Sequence, residues 1–448
     1  NEDAYAWALL AQSLGISNVD AQLDDGLPTS LFGYAQATID EAANATTVLL
    51  LSPDLKEELP ILYLRLRDAS EKKRSKLIEF VPKQTGLTRY AWKSASYEPG
   101  RQVSVIQQTL TDPAVATQIA QGSVVVVVGR ANLAEDDSFT MAALDAVMAA
   151  APNATVLPVI RRGNVRGAIE TGLVTGSTTS ILRSAAAGKI NCLILLGADP
   201  IADVRDTELA RQAMAAVQHV IAIDTFASSS SQRADVLLPA AAFGEKDGTT
   251  TNLEGRVTQL NRKVNVHGTA RPDWMIALEL ADYLGHDLGV GSVQEVHQQL
   301  VSKVAAFGDA TRAALAINPD GVLLRRSSGN VSAGSAPTVP DRPGFGYRLV
   351  VSRKLYDNGS NVAHSASLAP LAPGSSLHMH PLDLDRLGAA VGAQVKVSSD
   401  RTSIVMPIVA DESVTRGTVW AAWAQNGSNI GELIDSSRSV NDVKVETL

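Results

Sequence analysis

Asp199 and Asp224 each end an apolar run, in Leu195-Leu-Gly-Ala-Asp-Pro200 and Ile223-Asp224-Thr-Phe. A carboxylate there can bond a ribose or a guanine, because ligands of parallel sheets sit beyond the carboxyl ends of the strands. The same carboxylate can instead cap the following turn or helix, and that is the expected role of both. Gly197 has no Cβ, so its backbone can approach a phosphate closely. Gly248 sits in the loop Glu245-Lys-Asp-Gly-Thr-Thr-Thr-Asn-Leu-Glu-Gly-Arg-Val257. Its bracketing charges Glu245, Lys246, Asp247 and Arg256 are expected to pair with one another. Asp24-Asp25-Gly26 reads as a surface turn, with metal ligation by Asp24 or Asp25 as the alternative. His378 and His380 alternate, so they share a strand face. Two imidazoles without a third ligand make no metal site.

The elements that place these residues follow a repeated pattern of apolar run, turn and helix. The runs are Thr46–Leu51, Lys76–Val81, Ser123–Val128, Thr155–Ile160, Asn191–Leu196 and His219–Asp224. Helical stretches are expected at Leu55–Ala69, Phe139–Ala150, Asp206–Ala216 and Trp274–Leu284. Strands that are apolar throughout and alternate with helices imply parallel sheets covered on both faces. Pro239–Arg256 reads as a loop. Arg326–Gly344, rich in Pro, Gly and Ser, reads as a linker or surface wrap. Beyond it, Tyr347–Ser352, Ala393–Ser398, Ser403–Val409 and Thr418–Trp423 are short strands interrupted by a helix at Pro381–Ala390. They suggest a barrel-like domain.

The 448 residues are too many for one core. The expected division is a discontinuous α/β domain of residues 1–85 and 186–285, an inserted α/β domain of 86–185, a helix and linker at 286–344, and a barrel at 345–448. Hydrophobic residues make up 45% and aromatics only 4%, so Ala, Val and Leu must fill the cores. The net charge of −8 argues against a nucleic-acid surface. Glu71-Lys-Lys-Arg-Ser-Lys76 reads as the solvated end of a helix. No apolar run is long enough to span a bilayer, and no signal peptide is visible. The single cysteine, Cys192, lies in an apolar run and reads as a buried packing residue. One thiol excludes a disulfide framework or a cysteine-held iron–sulfur cluster within these residues. There is no Walker loop, nucleophile elbow or Gly-x-Gly-x-x-Gly nicotinamide turn.

Four linked stretches, Leu195–Pro200, Ile223–Phe226, Ala234-Asp-Val-Leu-Leu-Pro-Ala240 and Glu245–Val257, resemble the molybdopterin oxidoreductase superfamily in order and spacing. Met379-His-Pro-Leu-Asp-Leu-Asp-Arg-Leu-Gly388 with Val391–Val397 resembles its C-terminal dinucleotide-binding barrel. The opening Asn1-Glu-Asp-Ala-Tyr-Ala-Trp7 and Asn18–Pro28 resemble the G-subunit family of actinobacterial NADH-quinone oxidoreductase (complex I). The resemblance implies molybdopterin-oxidoreductase-like parallel-sheet α/β domains plus a C-terminal β-barrel. It places iron–sulfur clusters only in a preceding region. Its active members put a Cys, selenocysteine, Ser or Asp metal ligand where Ala21–Pro28 stands, and this window has no Cys, Ser or His. At the turn after the first strand, Ser52 replaces a common glycine, and Pro53 removes a donor.

The expectation is therefore a vestigial pocket at Gly197, Asp199, Asp224 and Gly248, with no catalytic or metal residue and no molybdopterin. The implied role is structural, supporting the electron-transfer subunits. Partners would be other peripheral-arm subunits of complex I, at the cytoplasmic face of the plasma membrane, with no direct span. The alternatives are an active molybdenum enzyme with an Asp ligand, or a module that keeps one guanine nucleotide at Gly197–Pro200 and Asp224.

Overall fold

A computed structural model describes residues 1–23, 27–325, 334–344 and 346–448. The Asp24-Asp25-Gly26 turn and its two candidate ligands lie outside the described residues, as does part of the expected linker.

The first sheet has five parallel strands: β1 (Thr47–Leu51), β2 (Lys76–Val81), β3 (Lys93–Ser96), β4 (Val124–Val128) and β5 (Thr155–Pro158), in the order β3-β2-β1-β4-β5. β1 and β4 lie side by side, Val48 against Val125 and Leu50 against Val127, and both are buried along their whole length. Branched side chains pack well on a pleated surface, which is why a run of five valines makes a central strand. The helix expected at Leu55–Ala69 is two helices, Leu55–Glu58 and Pro60–Glu71. Pro60 lacks the N–H that a continuous helix needs and begins the second one instead. Beyond Glu71, Lys72 and Arg74 pair with Asp68 on the exposed helix end.

A second parallel sheet has β6 (Cys192–Leu196), β7 (His219–Asp224) and β8 (Val236–Pro239), in chain order. The stretch read as a loop contains the start of a three-stranded sheet: β9 (Gly248–Thr251) and β10 (Arg256–Leu260) pair antiparallel, and β11 (Val322–Leu323) joins β10. Threonine-rich β9 is a strand because Thr249 and Thr251 are buried; hydroxyl-bearing β-branched residues suit strands as well as loops.

The C-terminal region is a closed six-stranded barrel: β12 (Tyr347–Ser352), β13 (Leu377–Met379), β14 (Gln394–Ser398), β15 (Ser403–Ala410), β16 (Thr418–Ala422) and β17 (Asp442–Thr447). Val395, Val397, Ile404, Met406, Ile408, Val443 and Val445 form its core with Trp423. Residues between them face out, the alternation a closed barrel demands. Gly388, at φ +73°, ends the helix Pro381–Leu387, three residues before the expected limit.

The contacts divide the chain differently from the sequence expectation. One unit holds residues 1–26, 160–204 and 209–328; the other holds 27–159, 205–208 and 329–448. β1 and β2 pair with β3, β4 and β5 rather than with β6–β8, so the compact α/β insertion runs from 27 to 159. Similar apolar runs do not by themselves say which strands hydrogen-bond together.

Candidate functional site

In the first unit, β6 and β7 end at the two expected carboxylates. Asp199 is buried, and its oxygens are engaged: Oδ1 accepts the Ser230 N–H at 3.1 Å and its hydroxyl at 2.5 Å, and Oδ2 accepts the Ser229 N–H at 3.0 Å. Asp199 also caps the following helical turn through the Ala202 N–H at 3.3 Å. Its expected capping role is thus present, extended to a loop 30 residues away. Asp224 is half-buried, and its Oδ1 accepts the Thr225 N–H at 2.9 Å and the Phe226 N–H at 3.4 Å. Gly197 sits at φ +57°, with nothing within 4 Å of where a Cβ would stand. Its N–H donates to the Ile223 carbonyl at 2.7 Å, tying the Gly197 turn to the end of β7.

Gly248 serves a different purpose. A Cβ there would stand 2.7 Å from a Glu2 oxygen. The Glu2 carboxylate accepts the Thr249 N–H at 2.7 Å and its hydroxyl at 2.9 Å, and lies 2.7 Å from His297 Nδ1. Glycine is needed for this close packing. No motif marked the Glu2–His297 pair, which joins residues 295 positions apart.

The charges around this loop do not pair with one another as expected. Lys246 lies 2.7 Å from both Asp3 and Asp273. Arg256 bonds Glu254 at 2.6 Å, Asp247 accepts the Arg262 N–H, and Glu245 accepts the Ala242 N–H. Lys246 reaches the packed helices, Asp247 reaches across the β9–β10 hairpin, and Glu245 and Arg256 bond within their own turns. Burial acts against the Lys246 ammonium, but the two aspartates raise its pKa well above the lysine range.

In the second unit, the Ser52–Pro53 turn after β1 opens on a small cavity of about 30 Å³. Lys83, Arg353, Lys354, Asp54, Glu57 and Trp420 line it. Lys83 and Lys354 lie 4.7 Å and 5.5 Å from the centre of the Trp420 ring, a contact that favours a partly desolvated cation. Glu57 holds Lys354 at 3.0 Å, and Asp411 holds Lys83 at 3.5 Å. Burial lowers the Lys83 pKa despite Asp411, and burial raises that of Asp54. Sequence reading missed these residues because they come from distant segments with no common motif. Gly129, at the end of β4, is fixed by packing: a Cβ would stand 2.6 Å from Val159 and 2.9 Å from Pro53.

Cys192, expected to be buried, is exposed. It is the first residue of β6, an edge strand, and lies beyond Ile194 and Leu196, which pack on that face. His380 caps the helix Pro381–Leu387 through the Leu382 N–H at 3.2 Å, whereas His378 faces Asp411. Among the described residues, no three acidic, His or Cys side chains are grouped to hold a metal ion.

A pterin dinucleotide carries a pyrophosphate, which needs open backbone or cations at a strand end. The open Gly197 turn in one unit and the lysine-lined Ser52 turn in the other each meet that need. At the second, Lys83, Arg353 and Lys354 bring cations where glycine is lost, although Asp411 and Glu57 already pair with the two lysines.

Comparison with known proteins agrees with this fit. Residues 1–283 match the molybdopterin oxidoreductase family, and residues 347–445 match the molydopterin dinucleotide binding domain. The NADPH-Fe(3+) oxidoreductase alpha subunit of Geobacter sulfurreducens is 24% identical over 100% of this chain and 62% of its own length. The NADH-quinone oxidoreductase G subunit of Mycobacterium bovis is 26% identical over 96% of this chain and 56% of its own. The chain thus spans about 60% of the length of these curated relatives. Acetylene hydratase from Pelobacter acetylenicus has the same fold, with a TM-score of 0.67 at 12% identity, over 99% of this chain and 84% of that one. The expectation that molybdopterin has no place here is overturned: both matched families are defined by that cofactor, and strand-end turns suited to its pyrophosphate are present. The chain belongs to the molybdopterin oxidoreductase family.

Proposed function

We propose that this chain is the molybdopterin-fold portion of a large subunit of an NAD(P)H-oxidising complex of the NADH-quinone oxidoreductase kind. In this reading it is chiefly architectural, supporting a cluster-bearing region and the electron-transfer subunits of a peripheral arm on the cytoplasmic face of the membrane. The observation that carries the reading is the end-to-end alignment with subunits of such complexes, across 100% and 96% of the chain. Among the described residues no helix is long and apolar enough to cross a membrane, which accords with peripheral attachment.

The chain's own residues would hold a pterin dinucleotide at two places. The Gly197 backbone and Asp224 would meet one nucleotide at the end of β6 and β7. Lys83, Arg353 and Lys354 would balance phosphate charge at the Ser52 turn. When bound, such a group supplies redox-active metal chemistry. Asp24 and Asp25 remain the carboxylates nearest in sequence to the family's ligand position.

Purification of the native complex tests the reading. Co-purification with an NADH-oxidising subunit, and NADH oxidation that persists when Asp24 and Asp25 are both changed to Ala, are the expected results. Isolation as a free chain, or loss of all NADH oxidation with that double change, would sink the architectural role. Elemental analysis for molybdenum or tungsten and chromatography of released pterin measure loading separately.

A further inference from the structure

We propose that Ser376, His378 and Asp411 form a reactive site on the barrel, beside the Ser52 cavity, a nucleophile–base–orienter relay that hydrolyses small carboxylic esters. The segment Gly374-Ser-Ser-Leu-His378 leads into β13, where Leu377 and Met379 are buried and His378 points the other way. Alternation therefore puts residues 376 and 378 on one face. Ser376 Oγ lies 3.0 Å from His378 Nε2, and His378 Nδ1 lies 2.9 Å from Asp411 Oδ2. Both distances are those of a hydroxyl donating to a base whose other nitrogen donates to a carboxylate. Such a relay is recognised by geometry and roles rather than by chain order.

The orienting carboxylate is itself fixed. Asp411 Oδ1 accepts the Ser413 N–H at 2.9 Å and hydroxyl at 2.5 Å, and Lys83 Nζ stands 3.5 Å from Oδ2. Burial works against its charge, but the bonds from His378 and Ser413 and the Lys83 ammonium hold the carboxyl well below the usual range. An ionised Asp411 selects the Nδ1–H tautomer and leaves the Nε2 lone pair toward Ser376. Trp420 packs edge-on against the imidazole, 4.7 Å between centroids, and limits its rotation. The His378 and Asp411 side chains are 22% and 20% exposed, so the relay meets solvent.

In the reaction, Ser376 Oγ bonds the ester carbonyl carbon while its proton passes to His378 Nε2. The carbon–alkoxide bond then breaks, and the leaving alkoxide takes that proton as the alcohol. Water then attacks the acyl carbon and gives a proton to Nε2; the carbon–Oγ bond breaks, Ser376 Oγ takes that proton back from Nε2, and the carboxylic acid is released. Water is the only co-reactant.

A fluorophosphonate probe and p-nitrophenyl acetate on the full chain test the proposal. The expected results are a phosphonyl adduct mapped to Ser376 and ester hydrolysis above the uncatalysed rate. Ser376→Ala should abolish the adduct, and His378→Gln should lower hydrolysis about 100-fold, the usual size of general-base assistance. In Ser376→Cys the new thiol should react with iodoacetamide faster than Cys192 at neutral pH. No adduct on Ser376 in the folded wild type, equal hydrolysis by Ser376→Ala, or a new thiol no faster than Cys192 would each overturn it.

Discussion

Asp199 Oδ1 accepts the backbone N–H of Ser230 at 3.1 Å, so the carboxylate that ends β6 holds the loop that follows β7. It is buried and bonded to two backbone amides and a hydroxyl of that loop. Asp199→Ala removes the acceptor and leaves those donors desolvated. Hydrogen bonds to a charged group contribute about 1.5–3 kcal/mol each, with losses that do not simply add. The expected loss is about 3 kcal/mol, read as a lowered denaturation midpoint. An unchanged midpoint would show that the loop is held by other means.

Lys246 joins Asp3 and Asp273 at 2.7 Å each, with all three side chains largely out of water. Lys246→Met leaves two facing carboxylates without their cation, and breaking a buried pair in this way costs about 3–5 kcal/mol. Burial and the Asp3 charge already raise the Asp273 pKa. Acid should therefore relieve the variant by protonating one carboxyl. The destabilisation should be larger at neutral pH than near pH 4; thermal melts at the two pH values compare them.

Glu135 is fully buried, and burial outweighs Arg130 and Arg205 to raise its pKa from 4.5 to about 7. A folded-state pKa above the unfolded one means that the native protein binds the proton more tightly. Stability from this group is full below about pH 4.5 and falls as pH rises toward 7. The fall is on the order of 3 kcal/mol. Glu135→Gln should flatten that part of the stability–pH curve in chemical denaturation, and an unaltered slope would assign it to other groups.

Cys192 is exposed at the start of an edge strand, with its thiol pKa raised by partial burial and by Asp235. In native protein, Ellman's reagent should titrate one thiol, more slowly than a free cysteine at the same pH, because the thiolate is the reactive form. A thiol that appears only after denaturation would contradict the exposed position.

Much of the fold was legible because burial on both faces writes itself into a strand. Val124–Val128 and Thr47–Leu51 admit almost no other reading, and both lie where expected. Strands with weaker patterns were missed: Lys93–Ser96 alternates half-buried and exposed residues, and threonine-rich Gly248–Thr251 reads as a loop. The site was legible only where one short motif supplied both position and chemistry. Gly197 and Asp199 are close in sequence and in space. Lys83, Lys354 and Trp420 meet only because the barrel closes beside the first sheet within their shared unit. Charge pairing was misjudged at Lys246 for the same reason: its partners lie 243 and 27 residues away.

The unit made of residues 27–159, 205–208 and 329–448 has a consequence for how the molecule is made. Its α/β portion is translated long before β12–β17 exist. At about 5–20 residues per second, the nascent chain waits on the order of 10–40 seconds for the remaining 170 residues to 329 and longer for the rest of the barrel. During that interval Leu133 and Ala134, which the finished barrel buries in its core cluster, have no cover. Contacts of such sequence separation slow folding. This family member should therefore depend on chaperone capture in mid-synthesis more than a chain of equal length built from consecutive domains.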